Sequence, residues 1–197
     1  MDFAPLVLAG RFVRLEPLAS AHFDGLWEIA RDPELWRWTQ AQIRTREDID
    51  RYLNIALDWQ RAGSALPFAT CSVAESKPVG STRFANIDRE NRKAEIGWTW
   101  IGKPWQRTAI NTEAKLLMLR HAFEVEGCIR VELKTDVLNQ QSRTAIRRLG
   151  AQEEGIFRHH NITESGRIRD TVYYSVLEAE WPAVKQNLES KIAARAR

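Results

Sequence analysis

Apolar side chains recur along this chain at two alternating spacings, one typical of helices and one typical of strands. Residues 45–61 and 111–126 place apolar side chains at helical intervals, on one face of each segment. Residues 66–73, 79–86 and 93–101 are instead short, largely apolar stretches separated by polar turns. This pattern predicts an antiparallel meander of three strands between two amphipathic helices.

The ends of the predicted helices carry residues that favour helix termination or capping. Thr45 can accept a hydrogen bond from the first turn of the helix that follows it. Gly127 follows the helix predicted over 111–126, and Gly150 follows another predicted over 139–149. Glycine is the common residue just past a helix C-terminus, so both boundaries are well marked.

The remaining segments complete an α+β pattern. They are a strand over 11–15, a helix over 19–31, strands over 130–135, 152–160 and 167–177, and a final helix over 178–195. Strands come first, then a strand-helix-strand-helix unit, then two more strands. This order predicts a mixed β-sheet with helices packed against it.

Size and charge narrow the class of protein. With 197 residues and 44% hydrophobic content, the chain suits one domain over 1–197. A net charge of +3, from 29 basic and 26 acidic residues, does not indicate a nucleic-acid partner. No apolar run approaches the roughly 20 residues of a membrane span. Cys71 and Cys128 are expected to be free thiols, and with no secretory leader the expected location is the cytoplasm.

Two strand-to-helix junctions lie close together in the sequence. The strand 94–101 runs into a polar loop and helix over 105–114, and the strand 130–135 runs into a polar helix start at 139–143. A helix N-terminus presents unpaired backbone N–H groups and the positive end of the helix dipole. Two such anion-binding ends predict a ligand that is both long and phosphorylated.

These segments resemble the GNAT family of acyl-CoA-dependent N-acetyltransferases, in particular its RimJ/RimL-like branch of ribosomal-protein N-terminal acetyltransferases. The resemblance lies in 10–17, 95–97, 106–114, 130–133, Asn139 with Ser142, and 149–150. It implies a strongly bent mixed sheet whose central strand pair splays apart, flanked by helices. It also implies acetyl-CoA as co-substrate, a primary amine as acceptor, and no metal.

The resemblance implies a set of cofactor-binding residues along both junctions. They are Trp100, Ile101, Gln106, Arg107, Thr108, Ala109, Ile110, Asn111, Thr112, Asn139 and Ser142. The family usually has two glycines in the first junction, where this chain has Ala109 and Asn111. Because glycine permits positive φ and close backbone approach, their loss would alter the phosphate site. The alternative for this loop is an ordinary capped helix.

The same resemblance suggests catalytic groups. Glu95 is the candidate base that deprotonates the amine, although a cross-strand ion pair is an equal alternative. Strict alternation would place Glu95, Gly97 and Thr99 on one face of their strand, and Trp98 on the other. Many relatives protonate the departing thiolate with a tyrosine, but Ile146 stands at that position, which leaves Ser142 as the candidate acid and water as the alternative.

Three functions follow from these observations. The first is an N-acetyltransferase that transfers the acetyl group of acetyl-CoA to a primary amine, for example a protein N-terminal amino group, by direct attack in a ternary complex. The second is a non-catalytic acyl-CoA-binding module, and the third is a small-molecule acetyltransferase acting on an antibiotic or polyamine. Exposed sheet edges allow a homodimer, whereas no nucleic-acid or membrane partner is expected.

Overall fold

The computed structural model of the protein describes residues 1–195, in which eight strands form one sheet. The strands are β1 Leu8–Ala9, β2 Val13–Pro17, β3 Leu66–Ser72, β4 Lys77–Asp88, β5 Lys93–Ile101, β6 Arg130–Asp136, β7 Gln152–Ile162 and β8 Ile168–Leu177. Their spatial order is β1-β2-β3-β4-β5-β6-β8-β7. Every neighbouring pair is antiparallel except β5 and β6, which are parallel.

Five α-helices cover the sheet. They are α1 Phe23–Ala30, α2 Arg46–Arg61, α3 Ala109–Arg120, α4 Gln140–Leu149 and α5 Trp181–Arg195. Within residues 1–195, none of them is long and apolar enough to cross a membrane. The predicted fold class, a mixed sheet flanked by helices, is confirmed.

The hydrophobic core is divided into two layers by the sheet. One layer packs Leu26 of α1 and Leu53 of α2 against the sheet residues Ala69 and Trp100. The other, larger layer packs α3, α4 and α5 against the opposite face of the sheet. The helices therefore hold the sheet from both sides and leave its central strand pair to determine where a ligand can enter.

The central parallel pair separates soon after it forms. Only Lys93–Glu95 of β5 pair with Arg130–Glu132 of β6, and the two strands diverge beyond that point. From Gly97 to Ile101 the β6-facing edge of β5 has no strand partner. The splayed pair predicted from the family resemblance is therefore present.

Most predicted elements agree with the structure within a few residues, and the differences have local causes. The strand predicted over 11–15 is β2, which begins at Val13 rather than at residue 11. The buried Glu113 carboxylate accepts hydrogen bonds from the backbone N–H groups of Arg11, Phe12 and Val13, at 2.8, 2.6 and 2.8 Å. The helix predicted over 111–126 begins at Ala109 and ends in a π-helical turn, His121–Val125.

Candidate active site

A bulge in β5 determines which of its side chains lie near β6. The opening between β5 and β6 beyond their paired residues is called the slot. Trp98 has φ of 48°, and the register of β5 against β4 shifts between Ser81 and Arg83. The extra residue reverses the alternation, so Glu95 and Trp98 both contact Lys134, whereas Thr99 turns to α3. The expectation that Glu95 and Thr99 share a face is therefore wrong, because strict alternation fails at a bulge.

Glu95 lies at the point where β5 and β6 stop pairing, which is called the fork. Its residue is only 2% exposed, and its Oε2 accepts a hydrogen bond from Asn86 Nδ2 at 2.7 Å. Lys134 Nζ of β6 lies 2.8 Å from the same oxygen. The other oxygen, Oε1, lies over Gly97, where an added Cβ would be 2.9 Å away. Gly97 therefore provides the space that this carboxylate oxygen occupies.

The Lys134 ammonium lies between Glu95 and an aromatic wall formed by Trp98 and Tyr173. Nζ lies 5.7 Å from the ring centroid of Trp98 and 5.6 Å from that of Tyr173. His160 stands beside Tyr173, at 5.7 Å between ring centroids. Burial, with the charges of Lys134 and Arg169, lowers the pKa of His160, which favours a neutral imidazole at neutral pH. The cross-strand ion pair weighed for Glu95 thus exists, in a setting suited to holding an ammonium.

The first junction ends in a capped helix start beside the slot. Thr108 caps α3, accepting a hydrogen bond from the Ile110 N–H at 3.3 Å. Gln106 Nε2 donates to the Ile101 carbonyl at 2.8 Å, and Gln106 Oε1 accepts from Gln141 Nε2 at 2.9 Å. Gln106 therefore links the end of β5 to the first turn of α4.

The backbone of this junction does not need glycine at the two positions where the family usually has it. Ala109 and Asn111 both lie within α3, where φ is negative, and positive φ falls on Arg107, at 62°. Whether their side chains alter the phosphate site stays a prediction. Asn111 Oδ1 is buried without a hydrogen-bond partner. The N–H groups of the first helical turn can bind an anion here, whereas this oxygen can only accept a hydrogen bond.

The second junction has the same form. Asn139 caps α4, and its Oδ1 accepts a hydrogen bond from the Ser142 N–H at 3.0 Å. Ser142 is half-buried in the first turn of α4, and Ile146 is buried in the core. Thr112 Oγ1 accepts from Arg148 Nη2 at 2.9 Å, which connects α3 to α4. The capping role considered for Asn139 is present, and it leaves the side-chain Nδ2 of Asn139 for another partner.

A buried lysine lies behind the exposed Thr99. Lys115 Nζ of α3 donates to Thr99 Oγ1 at 2.7 Å and to Thr82 Oγ1 at 3.0 Å. Burial lowers the pKa of Lys115 to about 7. An amine on this face of β5 is therefore held by hydroxyl groups, whereas Lys134 on the opposite face is held by a carboxylate.

Residues 1–195 contain one cluster with metal-ligand chemistry, formed by Glu16, His22 and Cys71. Its hydrogen bonds oppose a metal ion. His22 Nδ1 accepts from the Ala19 N–H at 3.1 Å, so the proton of the neutral ring lies on Nε2, which faces Glu16 at 3.1 Å. Burial, with the charge of Glu16, also raises the pKa of the Cys71 thiol to about 12. A metal ligand would need the deprotonated forms of both groups.

The splayed parallel pair, the two capped helix starts and a buried carboxylate at the fork define the class of acyl-CoA-dependent acyltransferases. Residues 13–152 match the model of the acetyltransferase (GNAT) domain family. The chain therefore belongs to the GNAT acetyltransferase family, whose general activity is acetyl transfer from acetyl-CoA to an amine.

Individual relatives agree with this assignment. "Putative ribosomal N-acetyltransferase YdaF" of Bacillus subtilis is 35% identical over 65% of this chain and 69% of its own length. "Uncharacterized N-acetyltransferase p20" of Bacillus licheniformis is 25% identical over 80% of this chain and 88% of its own. The crystal structure of a GCN5-related N-acetyltransferase from Brucella melitensis is 34% identical, with a TM-score of 0.88 over 95% of this chain and 85% of that one.

Sequence reasoning missed the partners of Glu95. Asn86 on β4 and Lys134 on β6 contact Glu95, Tyr173 on β8 contacts Lys134, and no local motif connects these residues to Glu95. Lys134 follows the fork on β6, so the parallel register would have suggested it once the β5–β6 pairing was known. Arg83, which stacks on Trp98, gave no signal in the sequence.

Proposed function

We propose that this chain acetylates the N-terminal amino group of a protein or peptide by direct attack on acetyl-CoA in a ternary complex. The observation that carries the proposal is the position of Glu95, buried at the fork beside an unpaired strand edge. The name of the Bacillus subtilis relative supports a ribosomal protein as acceptor. Acetyl-CoA supplies an activated acetyl thioester when it is bound.

The residues of this chain divide the work of the reaction. On the free edge of β5 near Trp100 and Ile101, a backbone N–H group would polarise the thioester carbonyl. The free N–H groups at the α3 start, with Arg107, would hold phosphate. Asn139 Nδ2 would hold the pantetheine arm. Glu95 Oε1 would accept the proton of the attacking amine, directly or through water, and Ser142 would return a proton to the departing thiolate.

The test is acceptor-dependent release of free thiol. Purified protein is incubated with acetyl-CoA and with peptides that have a free or a blocked amino terminus. We expect thiol release and a matching mass increase of the peptide only when the amino group is free. Saturable binding of acetyl-CoA without thiol release from any amine would contradict the proposal and identify a non-catalytic module.

One observation favours that second function. Lys134 already occupies Oε2 of Glu95, which would restrain a base. A small-molecule acceptor is separated by the same assay with polyamines in place of peptides. A homodimer and a cytoplasmic location remain predictions, and the exposed Phe157 and Ile162 on the edge strand β7 are the residues that favour self-association.

A further inference from the structure

A buried guanidinium without a carboxylate partner packs against Trp98, on the aromatic wall beside Glu95. Arg83 of β4 is 1% exposed and stacks on the rings of Tyr52, Trp59 and Trp98, at 5.1, 5.5 and 5.3 Å to the centroids. Its Nε and Nη2 have no hydrogen-bond partner. Aromatic faces offset part of the cost of burying this charge, but no anion within residues 1–195 forms an ion pair with it.

The surplus of positive charge extends along the same wall. Lys134 shares the Trp98 ring with Arg83. Arg169 is 7% exposed, and its Nε lies 3.7 Å from the Asp136 carboxylate, which also pairs with Arg167, but makes no hydrogen bond. Within residues 1–195, the ion pairs of the four cations Arg83, Lys134, Arg167 and Arg169 involve two carboxylates, Glu95 and Asp136.

We propose, building on the proposed function, that the preferred acceptor is an amine that carries a negative group close by, and that this group takes Lys134 away from Glu95. Lys134 is the one of these cations that binds Glu95 directly, and its side chain is 20% exposed, whereas Arg167, which is 32% exposed, pairs with Asp136. Once Lys134 pairs with the acceptor, Glu95 is free to accept the amine proton. In the resting protein the Glu95–Lys134 ion pair therefore restrains Glu95 as a base, and an acidic acceptor removes this restraint by binding Lys134.

The remaining cations favour acidic acceptors over basic ones. Arg83 and Arg169 act by charge and not by direct contact, since both residues are buried. A polycationic amine would meet repulsion from the wall and could not compensate Lys134 for the loss of Glu95. Nearby positive charge also favours the neutral form of the attacking amine. An acidic peptide start and a free amino acid with a side-chain carboxylate share the required chemistry.

The test compares acceptors that differ only in charge. Peptides of equal length that begin with serine, followed by aspartates, asparagines or lysines, are assayed for kcat/KM and, separately, for binding by calorimetry in the presence of CoA. We expect acidic peptides to exceed neutral ones by about tenfold, and lysine peptides to be poorest. Equal values, or a preference for lysine, would overturn the proposal, and the binding arm decides this even if no peptide is acetylated.

Variants distinguish a role of Lys134 in acceptor choice from a purely structural ion pair. Lys134→Met should abolish the acidic preference and raise the rate with neutral peptides, whereas Lys134→Arg should keep the preference. The matched control is Lys93→Met, since Lys93 lies on β5 near the fork and has its own acidic neighbours, Asp88 and Glu132. Arg83→Met should reduce the preference partially. An unchanged charge preference in folded Lys134→Met protein would overturn the proposal.

Parallel assays with free aspartate and asparagine distinguish the two sources of the negative group. Peptide preference without acetylation of free aspartate would assign a chain terminus as the acceptor. Acetylation of aspartate over asparagine would assign a small acidic amine. Both outcomes support the charge requirement, whereas a preference for asparagine over aspartate would contradict it.

Discussion

The two sides of the slot are made from different chemistry. The proposed cofactor side consists mainly of helix starts and neutral side chains, with Thr108 and Asn139 as caps and Gln106 as a link between them. The proposed acceptor side consists of charges held by carboxylates and aromatic rings, with Lys134 and Glu95 at its centre. A cofactor common to a whole family can be bound by backbone groups, whereas acceptor choice requires side chains specific to one chain.

The largest effect is expected from removing the charge of Glu95. Glu95→Gln should lower kcat by about a thousandfold, because the amide cannot accept the amine proton, while acetyl-CoA affinity stays unchanged. Steady-state thiol release and calorimetry measure the two quantities. Glu132→Gln is the matched control, since Glu132 is the β6 partner of Glu95 in the ladder but pairs with Arg130 and Lys93 instead of Lys134. Equal losses in both variants would exclude a catalytic role for Glu95.

Moving the carboxylate without removing it should have a smaller effect. In Gly97→Ala the added Cβ would displace Glu95 Oε1, which lies 2.9 Å from that position. Because the atom displaced is the end of a flexible side chain, the fold should be retained and kcat should fall about tenfold to a hundredfold. Unaltered kcat in this variant would mean that the position of Oε1 is unimportant.

Lys115 provides a prediction about pH and stability. Burial lowers its pKa from 10.5 to about 7, so between these values the unfolded chain binds more protons than the folded protein. Stability should therefore rise with pH above about 7, by at most about 1.4 kcal/mol per pH unit from this group. Denaturant unfolding of wild type and Lys115→Met measures it. The difference between the two free energies should change between pH 7 and pH 9, and a constant difference would contradict the account.

The smallest effect concerns the helix caps. Asn139→Ala should lower the free energy of unfolding by about 1 kcal/mol and also weaken acetyl-CoA binding several-fold. Thr45→Ala removes the cap of α2, which lies far from the second junction in sequence, and is the matched control. It should lose similar stability and keep its affinity. Equal affinities in the two variants would limit Asn139 to a structural role.

The same contrast explains what the sequence could predict. Helix caps, strand lengths and the order of elements are local, so the β5 bounds 93–101 and the caps Thr45 and Asn139 agree with the structure. The positive φ of the bulge falls on Trp98 and not on a glycine, so the sequence does not mark it. The bulge reverses the faces that alternation predicts. The Glu95–Lys134 pair forms between strands that are distant in sequence, which no local pattern specifies.

The most direct test of the account is hydrogen exchange measured with and without acetyl-CoA. Residues 97–101 on the unpaired edge of β5 and the first turns of α3 and α4 should exchange more slowly when the cofactor is bound. The first turn of α2, residues 46–49, should be unchanged. Protection at α2 with none at β5, α3 or α4, under saturating acetyl-CoA, would contradict the placement of the cofactor in the slot.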